Sequence, residues 1–368
     1  MRKKLALILI SLDECFTKKG FSGGGHKVTK NLVEQLINSE KFEIDIYCKK
    51  GTPWNNTVNG INSITVFNSK HFRKDLDAAL EQKAYDYILS SDVLLPFANN
   101  LLHSNSSRYK TKKCKSPLMS RVLRVYNHKK IRNQEKNISY NKSTFTVSES
   151  LKTDYVENLK LNPEKVFVAI PATDDVKAFV APEKKDNFTI GAIAGGGLNK
   201  GGYLLLFAMA RLPKSSKVKA RIIFPKIQKA GFFKLLIKLL KLEDRIELIP
   251  KQANMDEYYK SIDCYVLPSL NEAFGLVVTE AAANSKPSIV SSTTGVRELI
   301  KDGKNGFIFK REINKIENLT NKITEVSDMF LYDYEKYTNI AQSAHEIAEN
   351  LSWKEFGNVI INNMVQEW

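Results

Sequence analysis

Short apolar runs alternate with segments of helical periodicity along the first half of the chain. A buried-strand pattern at residues 5–11 precedes a glycine loop, a helix predicted over residues 26–38 and a second apolar run at 44–48. Strands that alternate with helices predict β-α-β units and a mainly parallel sheet covered on both faces. Further strands are predicted at residues 64–67, 87–90, 144–147 and 166–170.

The pattern stops near residues 171–186, where prolines and charged residues interrupt it. A second series follows, with strands predicted at residues 188–194, 221–224, 246–249, 264–267, 288–291 and 307–309 and with helices at 203–212 and 279–284. The sequence therefore predicts two doubly wound α/β domains, residues 1–172 and 173–350. Helical spacing of apolar positions in residues 351–368 predicts a C-terminal helix that returns to the first domain.

Length and composition agree with a folded protein of two domains. The chain has 368 residues, of which 43% are hydrophobic and 26% charged. Its four cysteines lack metal-ligand spacing, so neither zinc nor a disulfide framework is predicted, and a cytoplasmic protein is expected. The first apolar run ends in Asp13 and Glu14 without a small-residue cleavage site, so we interpret it as a strand rather than a secretory signal.

The charge of the chain favours phosphate-rich partners. Lys and Arg outnumber Asp and Glu by 56 to 40, a net charge of +16, and residues 103–142 carry twelve basic residues against one acid. Nucleotide sugars, anionic membranes and nucleic acid all fit, and a solvated basic face is the structural alternative. No recognition helix or zinc spacing is present, so we expect no nucleic-acid partner.

The most informative segment is PSLNEAFGLVVTE, residues 268–280. It follows a predicted buried strand, and ligands of doubly wound domains bind beyond the carboxyl ends of the strands. Glu272 precedes the next helix and Glu280 lies within it, so the two carboxylates reach different parts of an extended ligand. Backbone N–H groups at the start of that helix, together with its dipole, are predicted to hold a diphosphate. The residues predicted to open the helix are Phe274, Gly275, Leu276 and Val277.

This segment resembles the retaining glycosyltransferases of family four, whose signature is two glutamates separated by seven residues. The resemblance implies the GT-B fold, in which two Rossmann-like doubly wound domains face a central cleft. It implies a nucleotide-sugar donor, UDP-sugar favoured, bound by the C-terminal domain and an acceptor bound by the N-terminal one. Glu280 would accept hydrogen bonds from the ribose hydroxyls, and Glu272 would contact the donor sugar near the reacting carbon. A solvated helix residue and a loop charge are the structural alternatives.

A glycine-rich turn, GGGLNKG at residues 195–201, gives a second phosphate-binding context. In the family this turn supplies an arginine and a lysine to the donor diphosphate. Lys200 matches the lysine, whereas glycines that include Gly196 stand where the arginine is expected. Some lipopolysaccharide-core glucosyltransferases of the family also lack the arginine. Leaving-group stabilisation would then rest on Lys200 and backbone dipoles, and a simple turn is the alternative.

Two further features of the N-terminal half match the family. The loop that contains Gly23 and Gly24 corresponds to the family's loop near the donor phosphate and the acceptor. His103 lies roughly where relatives place a histidine that touches the donor sugar. A plain flexible loop and a structural histidine are the respective alternatives.

The sequence contains no DxD motif and no His/Asp/Glu ligand spacing, so a metal-independent enzyme without cofactor is predicted. Phenylalanines, leucines and an isoleucine in residues 232–240 form an unusually apolar helix among lysines, which predicts either packing between domains or docking on an anionic membrane. Docking, together with the basic segment, suggests a lipid-linked or cell-envelope glycan acceptor at the inner membrane face. No apolar run reaches the roughly 18 residues of a membrane span, so membrane association would be peripheral. A GT-B-fold sugar-nucleotide epimerase remains the alternative enzyme.

Overall fold

The computed structural model describes residues 2–11, 24–50, 59–91, 95, 98–102, 142–194, 198–252 and 254–366. The chain divides into two units. The N-terminal unit comprises Met1–Pro171 with Ser352–Trp368, and the C-terminal unit comprises Ala172–Leu351. Each unit is built on one parallel sheet with helices, so the predicted α/β fold class is confirmed.

The N-terminal sheet has the order β3-β2-β1-β4-β5-β6-β7, and its strands pair in parallel. Strand β1, in the interior of this sheet, is completely buried from Leu5 to Leu9, as expected for a strand that is covered on both faces. The strands are β1 (Lys3–Ser11), β2 (Phe42–Lys50), β3 (Ile61–Val66), β4 (Tyr87–Ser91), β5 (Asn99–Leu102), β6 (Thr144–Thr146) and β7 (Val166–Val168). The helices of this part are α1 (Gly24–Asn38), α2 (Phe72–Glu81) and α3 (Glu149–Leu159).

The C-terminal sheet has six parallel strands in the order β10-β9-β8-β11-β12-β13. Its strands are β8 (Phe188–Ile193), β9 (Val218–Ile223), β10 (Ile246–Ile249), β11 (Cys264–Leu267), β12 (Ser288–Ser291) and β13 (Phe307–Phe309). Its helices are α4 (Gly202–Arg211), α5 (Gly231–Leu239), α6 (Met255–Lys260), α7 (Leu276–Ala283), α8 (Lys315–Tyr332) and α9 (Tyr334–Glu349).

The last helix, α10 (Trp353–Val365), belongs to the N-terminal unit and packs on α1. Of the four apolar positions predicted at helical spacing it buries Phe356, Ile360 and Met364, and it leaves Val359 half-buried. Gly357 allows the close approach, because a Cβ there would lie 2.5 Å from the Cβ of Gln35 on α1.

The core of the C-terminal unit joins β8 to the two long helices. The Phe188 ring lies 5.2 Å from the Phe330 ring of α8 and meets the Tyr337 ring of α9 edge-on. The buried Tyr337 hydroxyl donates to the carbonyl oxygen of Asp263 at 2.7 Å, which ties α9 to the start of β11. This packing fixes β11, and the loop after β11 carries part of the candidate site.

Strand β5 was not predicted, because its sequence NNLL begins with two asparagines, which are uncommon in strands. Both asparagines are buried here. The predicted opening of α7 is also wrong at its first two positions, since Phe274 precedes the helix and the N-cap Gly275 has a φ of 119° that no helical residue adopts. Among the described residues, no helix is both long enough and apolar enough to cross a membrane.

Candidate functional site

The two segments predicted to bind a donor meet where the strand order of the C-terminal sheet reverses. Strands β8 and β11 are neighbours, with Cys264 paired to Ile190 and Tyr265 paired to Gly191, yet they lie far apart in sequence. The chain continues from β8 towards Lys200 and from β11 towards Glu272. Such a switch point, beyond the carboxyl ends of the strands, is the usual ligand position of doubly wound sheets.

Lys200 and Glu272 form an ion pair at this edge. The Lys200 Nζ lies 2.7 Å from Glu272 Oε2, and the side chains are 50% and 23% exposed. Ser269 Oγ lies 3.5 Å from the same oxygen. The Leu270 amide donates to the Asn199 carbonyl at 2.7 Å, which holds the two segments side by side. The structure therefore brings together two of the predicted site residues, 72 positions apart.

Gly201 makes this approach feasible, although no separate role was predicted for it. Its φ is 70°, and a Cβ at this position would lie 1.9 Å from the carbonyl oxygen of Pro268. Any larger residue would have to push the backbone of the β11 loop away from Lys200. The only local signal for this role is the glycine directly after the lysine.

The loop after β11 is held in place from the other side by buried polar contacts. Arg311 is buried and its Nε donates to the Pro268 carbonyl at 3.1 Å. The hydroxyls of Ser291 and Thr293 donate to the Ser269 carbonyl at 2.8 and 3.1 Å. These contacts come from the last residue of β12 and from the segments that follow β12 and β13, so three strand ends together fix the backbone that carries Glu272.

Backbone hydrogen bonds also fix the turn into α7. The amides of Gly295 and Val296 donate to the carbonyls of Glu272 and Phe274 at 3.0 and 2.9 Å. Gly275 has a positive φ, and a Cβ there would lie 2.9 Å from Leu267 Cδ2. Since Phe274 and Leu276 are buried, they offer backbone rather than side-chain groups to a ligand.

Glu280 occupies a notable position on α7, because six of the eight helix residues are buried and only Val277 and Glu280 are not. Val277 and Glu280 are three positions apart, so they lie on one face of the helix. The helix dipole places partial positive charge at the end nearest Gly275. Helix α7 thus carries both the Glu280 carboxylate and a partially positive N-terminus.

Tyr259, on α6, contacts Glu280 directly and was missed by the sequence reasoning. Its buried hydroxyl lies 3.1 Å from Glu280 Oε2 and 3.3 Å from the Val277 carbonyl. Burial and, next, the Glu280 charge raise the pKa of Tyr259 well above its ordinary value, so the phenol keeps its proton and donates. No sequence signal distinguishes Tyr259 from its neighbour Tyr258.

The other residues predicted for the site are Gly23, Gly24, His103 and Gly196. Gly23, His103 and Gly196 lie outside the described residues. Gly24 is the first residue of α1 in the N-terminal unit. Within the described ranges, no group of three or more His, Cys, Asp or Glu residues could hold a metal ion, and the predicted metal independence stays a prediction.

Residues 174–346 match the family described as glycosyl transferases group 1. This segment makes up nearly all of the C-terminal unit, Ala172–Leu351. The C-terminal unit therefore matches the glycosyl transferases group 1 family over nearly its whole length, in agreement with the resemblance seen in the sequence.

Curated relatives match shorter segments. A stretch of 136 residues is 29% identical to an uncharacterized glycosyltransferase of Haemophilus influenzae, covering 37% of this chain and 35% of the relative. A stretch of 111 residues is 32% identical to the N-acetyl-alpha-D-glucosaminyl L-malate synthase of Bacillus anthracis, covering 30% and 28%. A stretch of 89 residues is 33% identical to the UDP-Gal:alpha-D-GlcNAc-diphosphoundecaprenol alpha-1,3-galactosyltransferase of Escherichia coli, covering 24% and 22%. The matches thus span at most 35% of the length of these relatives.

Solved structures resemble the whole chain. WaaG, a glycosyltransferase involved in lipopolysaccharide biosynthesis, has a TM-score of 0.73 at 14% identity and covers 98% of both chains. Anabaena HepE in complex with UDP and glucose has a TM-score of 0.71 at 17% identity, covering 99% of this chain and 100% of its own. At such low identity the likeness shows the fold, and the predicted GT-B fold is confirmed.

Proposed function

We propose that the chain is a retaining glycosyltransferase that takes a sugar from a nucleotide diphosphate donor without a metal ion. The observation that carries the proposal is the contact between Lys200 and Glu272 at the switch point of a group 1 glycosyltransferase domain. The reacting bond joins a sugar to a diphosphate. At this edge the Lys200 cation suits the diphosphate and the Glu272 carboxylate suits the sugar.

The donor would lie along the edge with its diphosphate at Lys200 and the start of α7. The Lys200 ammonium would bind phosphate oxygens in exchange for part of its contact with Glu272. Backbone N–H groups near Gly275 would add the positive end of the helix dipole. Since a fixed ammonium and a helix start both stabilise negative charge, they would take the place of a divalent cation on the departing diphosphate.

Glu280 would accept hydrogen bonds from the ribose hydroxyls of the donor. Its Oε2 already accepts from Tyr259, which limits the positions open to the carboxylate. Glu272 would contact the donor sugar near the reacting carbon, and His103 would touch the same sugar. These assignments follow the family resemblance, and the half-buried positions of the two glutamates support them.

The reaction breaks the bond between the anomeric carbon and the diphosphate oxygen and forms a bond from that carbon to the acceptor hydroxyl. In the retaining course the acceptor arrives on the face from which the diphosphate leaves, and the hydroxyl proton passes to the departing phosphate oxygen. The oxocarbenium-like state between the two events is stabilised by the charge that Lys200 holds on the leaving group. No protein nucleophile is required.

A UDP-sugar is our preferred donor, and a glycan or lipid-linked molecule of the cell envelope is our preferred acceptor. Support comes from similar proteins, since HepE has been solved with UDP-glucose and the Escherichia coli relative is named for UDP-galactose and a diphosphoundecaprenol acceptor. Such an acceptor would place the enzyme in the cytoplasm or peripherally at the inner membrane face. Neither the site nor these relatives favour an epimerase or a nucleic-acid-binding protein.

The test is a binding and hydrolysis screen of UDP-, GDP- and ADP-sugars in the absence of divalent metal. Wild type is compared with Lys200→Ala and Glu280→Gln, and with the control variants Lys214→Ala and Glu243→Gln at exposed positions of the same unit. Selective binding of one nucleotide sugar that only the first two variants lose would support the proposal. Absence of binding to every nucleotide sugar would overturn it.

A further inference from the structure

Helix α5 has two apolar faces, and only one of them packs inside the C-terminal unit. Phe233 and Ile237 are buried in the core. Phe232, Leu235 and Leu239 are 64%, 49% and 66% exposed. Their spacing of three and four residues places these three side chains in one stripe along the helix, here named the α5 face. Three large exposed apolar residues on a nine-residue helix exceed what scattered surface positions explain.

The α5 face continues onto the neighbouring helix. The Phe232 ring lies 6.2 Å from the ring of Tyr203 on α4. Phe207, one turn further along α4, is 40% exposed. The apolar surface therefore combines aromatic rings and leucines from two helices, a composition suited to the boundary between lipid headgroups and acyl chains.

The charged residues of the segment that contains α5 all have one sign. Residues 226–242 include no Asp or Glu, and the first acid after them is Glu243. Every lysine of this segment is exposed, so each can keep its ammonium group in water while its aliphatic stem lies on an apolar surface. The lysines are Lys226, Lys229, Lys234, Lys238 and Lys241.

We infer that the α5 face and its lysines dock on an anionic lipid surface, with Phe232, Leu235 and Leu239 entering the headgroup boundary. An apolar stripe beside cations fits lipids that present negative headgroups over acyl chains. A second copy of this chain fits less well, because a two-fold contact through the α5 face would bring two sets of lysines together with no acid from residues 226–242 to balance them. The inference concerns binding alone and does not depend on the donor chemistry.

The first experiment measures co-sedimentation of the full chain with vesicles of phosphatidylcholine and of phosphatidylcholine mixed with phosphatidylglycerol. Wild type is compared with Leu235→Gln/Leu239→Gln. The matched control is Val180→Gln/Ile313→Gln, which removes two apolar side chains that are at least as exposed, 70% and 74%, elsewhere in the same unit. We expect wild type and control to bind the anionic vesicles, and the α5 variant to bind at least about tenfold more weakly.

The second experiment separates local lysines from net charge. Lys234→Gln/Lys238→Gln is compared with Lys214→Gln/Lys217→Gln, which changes the net charge equally at exposed positions away from α5. We expect only the α5 lysine variant to lose vesicle binding and to show a weaker dependence of that binding on salt.

Several results would overturn the inference. One is a wild-type protein that does not bind anionic vesicles. Another is an equal loss of vesicle binding in each variant and its control. If Leu235→Gln/Leu239→Gln lowers the melting temperature while vesicle binding persists, the face packs within the chain. If wild type dimerises and this variant does not, with vesicle binding unchanged, the occupant is a second copy. Nucleotide-sugar binding, measured without vesicles, reports separately on the proposed function.

Discussion

Two lysine–carboxylate pairs, one in each unit, show how similar contacts serve different purposes. In the N-terminal unit Lys83 Nζ lies 3.1 Å from Asp45 Oδ2, and in the C-terminal unit Lys200 Nζ lies 2.7 Å from Glu272 Oε2. Judged by the nitrogen–oxygen distance alone, the two ion pairs would look equivalent. They differ in where the carboxylate lies on its sheet and in how many protein donors surround it.

Asp45 lies within the ladder of β2, is 6% exposed and accepts hydrogen bonds at both oxygens. Burial raises its pKa, but the hydrogen bonds together outweigh burial and hold the pKa of Asp45 below its ordinary value. A carboxylate satisfied in this way has no capacity left for a ligand. The donors are Ser63 and Asn62 to Oδ1 and Tyr85 and Lys83 to Oδ2.

Glu272 lies beyond the carboxyl end of its sheet and stays partly exposed. Among the described residues, Lys200 and Ser269 contact its Oε2, and none donates a hydrogen bond to its Oε1. The difference teaches that the position on the sheet and the remaining hydrogen-bonding capacity, rather than the presence of an ion pair, distinguish a ligand-binding carboxylate from a structural one.

The largest expected effect comes from Lys200→Ala. We expect kcat/KM for the donor to fall by roughly 10²–10³-fold, because the leaving diphosphate loses its fixed cation. Stability should change little, since exposed ion pairs contribute about 0–1 kcal/mol. Steady-state kinetics and urea unfolding measure the two quantities, with Lys214→Ala as control. A loss of stability with unchanged kinetics would make this pair structural, like that of Asp45.

The next effect is that of Asp45→Asn on stability. We expect the free energy of unfolding of the N-terminal unit to fall by about 2–3 kcal/mol, because the substitution removes a buried charge acceptor and places an amide among donors. Urea unfolding measures the change, and Glu43→Gln, at the exposed position two residues earlier on β2, is the control. Equal stability of the two variants would contradict the structural role of Asp45.

Tyr259→Phe should have a smaller effect, confined to donor binding. Loss of one hydrogen bond to Glu280 should raise the KM for the donor by roughly 5–10-fold with little change in kcat. Tyr258→Phe is the matched control, because its buried hydroxyl lies 3.1 and 2.9 Å from the carbonyl oxygens of Ala192 and Arg221 instead. That variant should lower stability and leave KM unchanged. The same KM in both variants would remove Tyr259 from the site.

The smallest expected effect is a change in stability at acid pH. The pKa of Asp45 in the folded chain lies below that in the unfolded chain, about 3.9. Its contribution to stability is therefore complete above that pH and is lost as the pH falls through the folded pKa. We expect the stability difference between wild type and Asp45→Asn to be constant near neutral pH and to narrow below about pH 4. Urea unfolding across this range would contradict the argument if the difference widened.

Much of the fold was predictable because its signals are local. The apolar runs that became β10, β11, β12 and β13 were predicted at their observed positions. Strand β5 could not be predicted, since its asparagines are buried by contacts with neighbouring strands rather than by any preference of their own. The site residues also were predictable where their signal is local. Lys200, Glu272 and Glu280 stand in recognisable motifs, whereas Tyr259 does not.

By itself the sequence determined two series of strands and helices, the loops at the ends of β8 and β11, and the residue types that these loops carry. Those properties follow from periodicity and from motifs of a few residues. The tertiary structure alone decided that Gly201 lies against Pro268, that Tyr259 contacts Glu280 and that the α5 face stays exposed. Each of these depends on which distant segments meet when the sheet closes in its strand order, and pairing between distant segments leaves no trace in a local pattern.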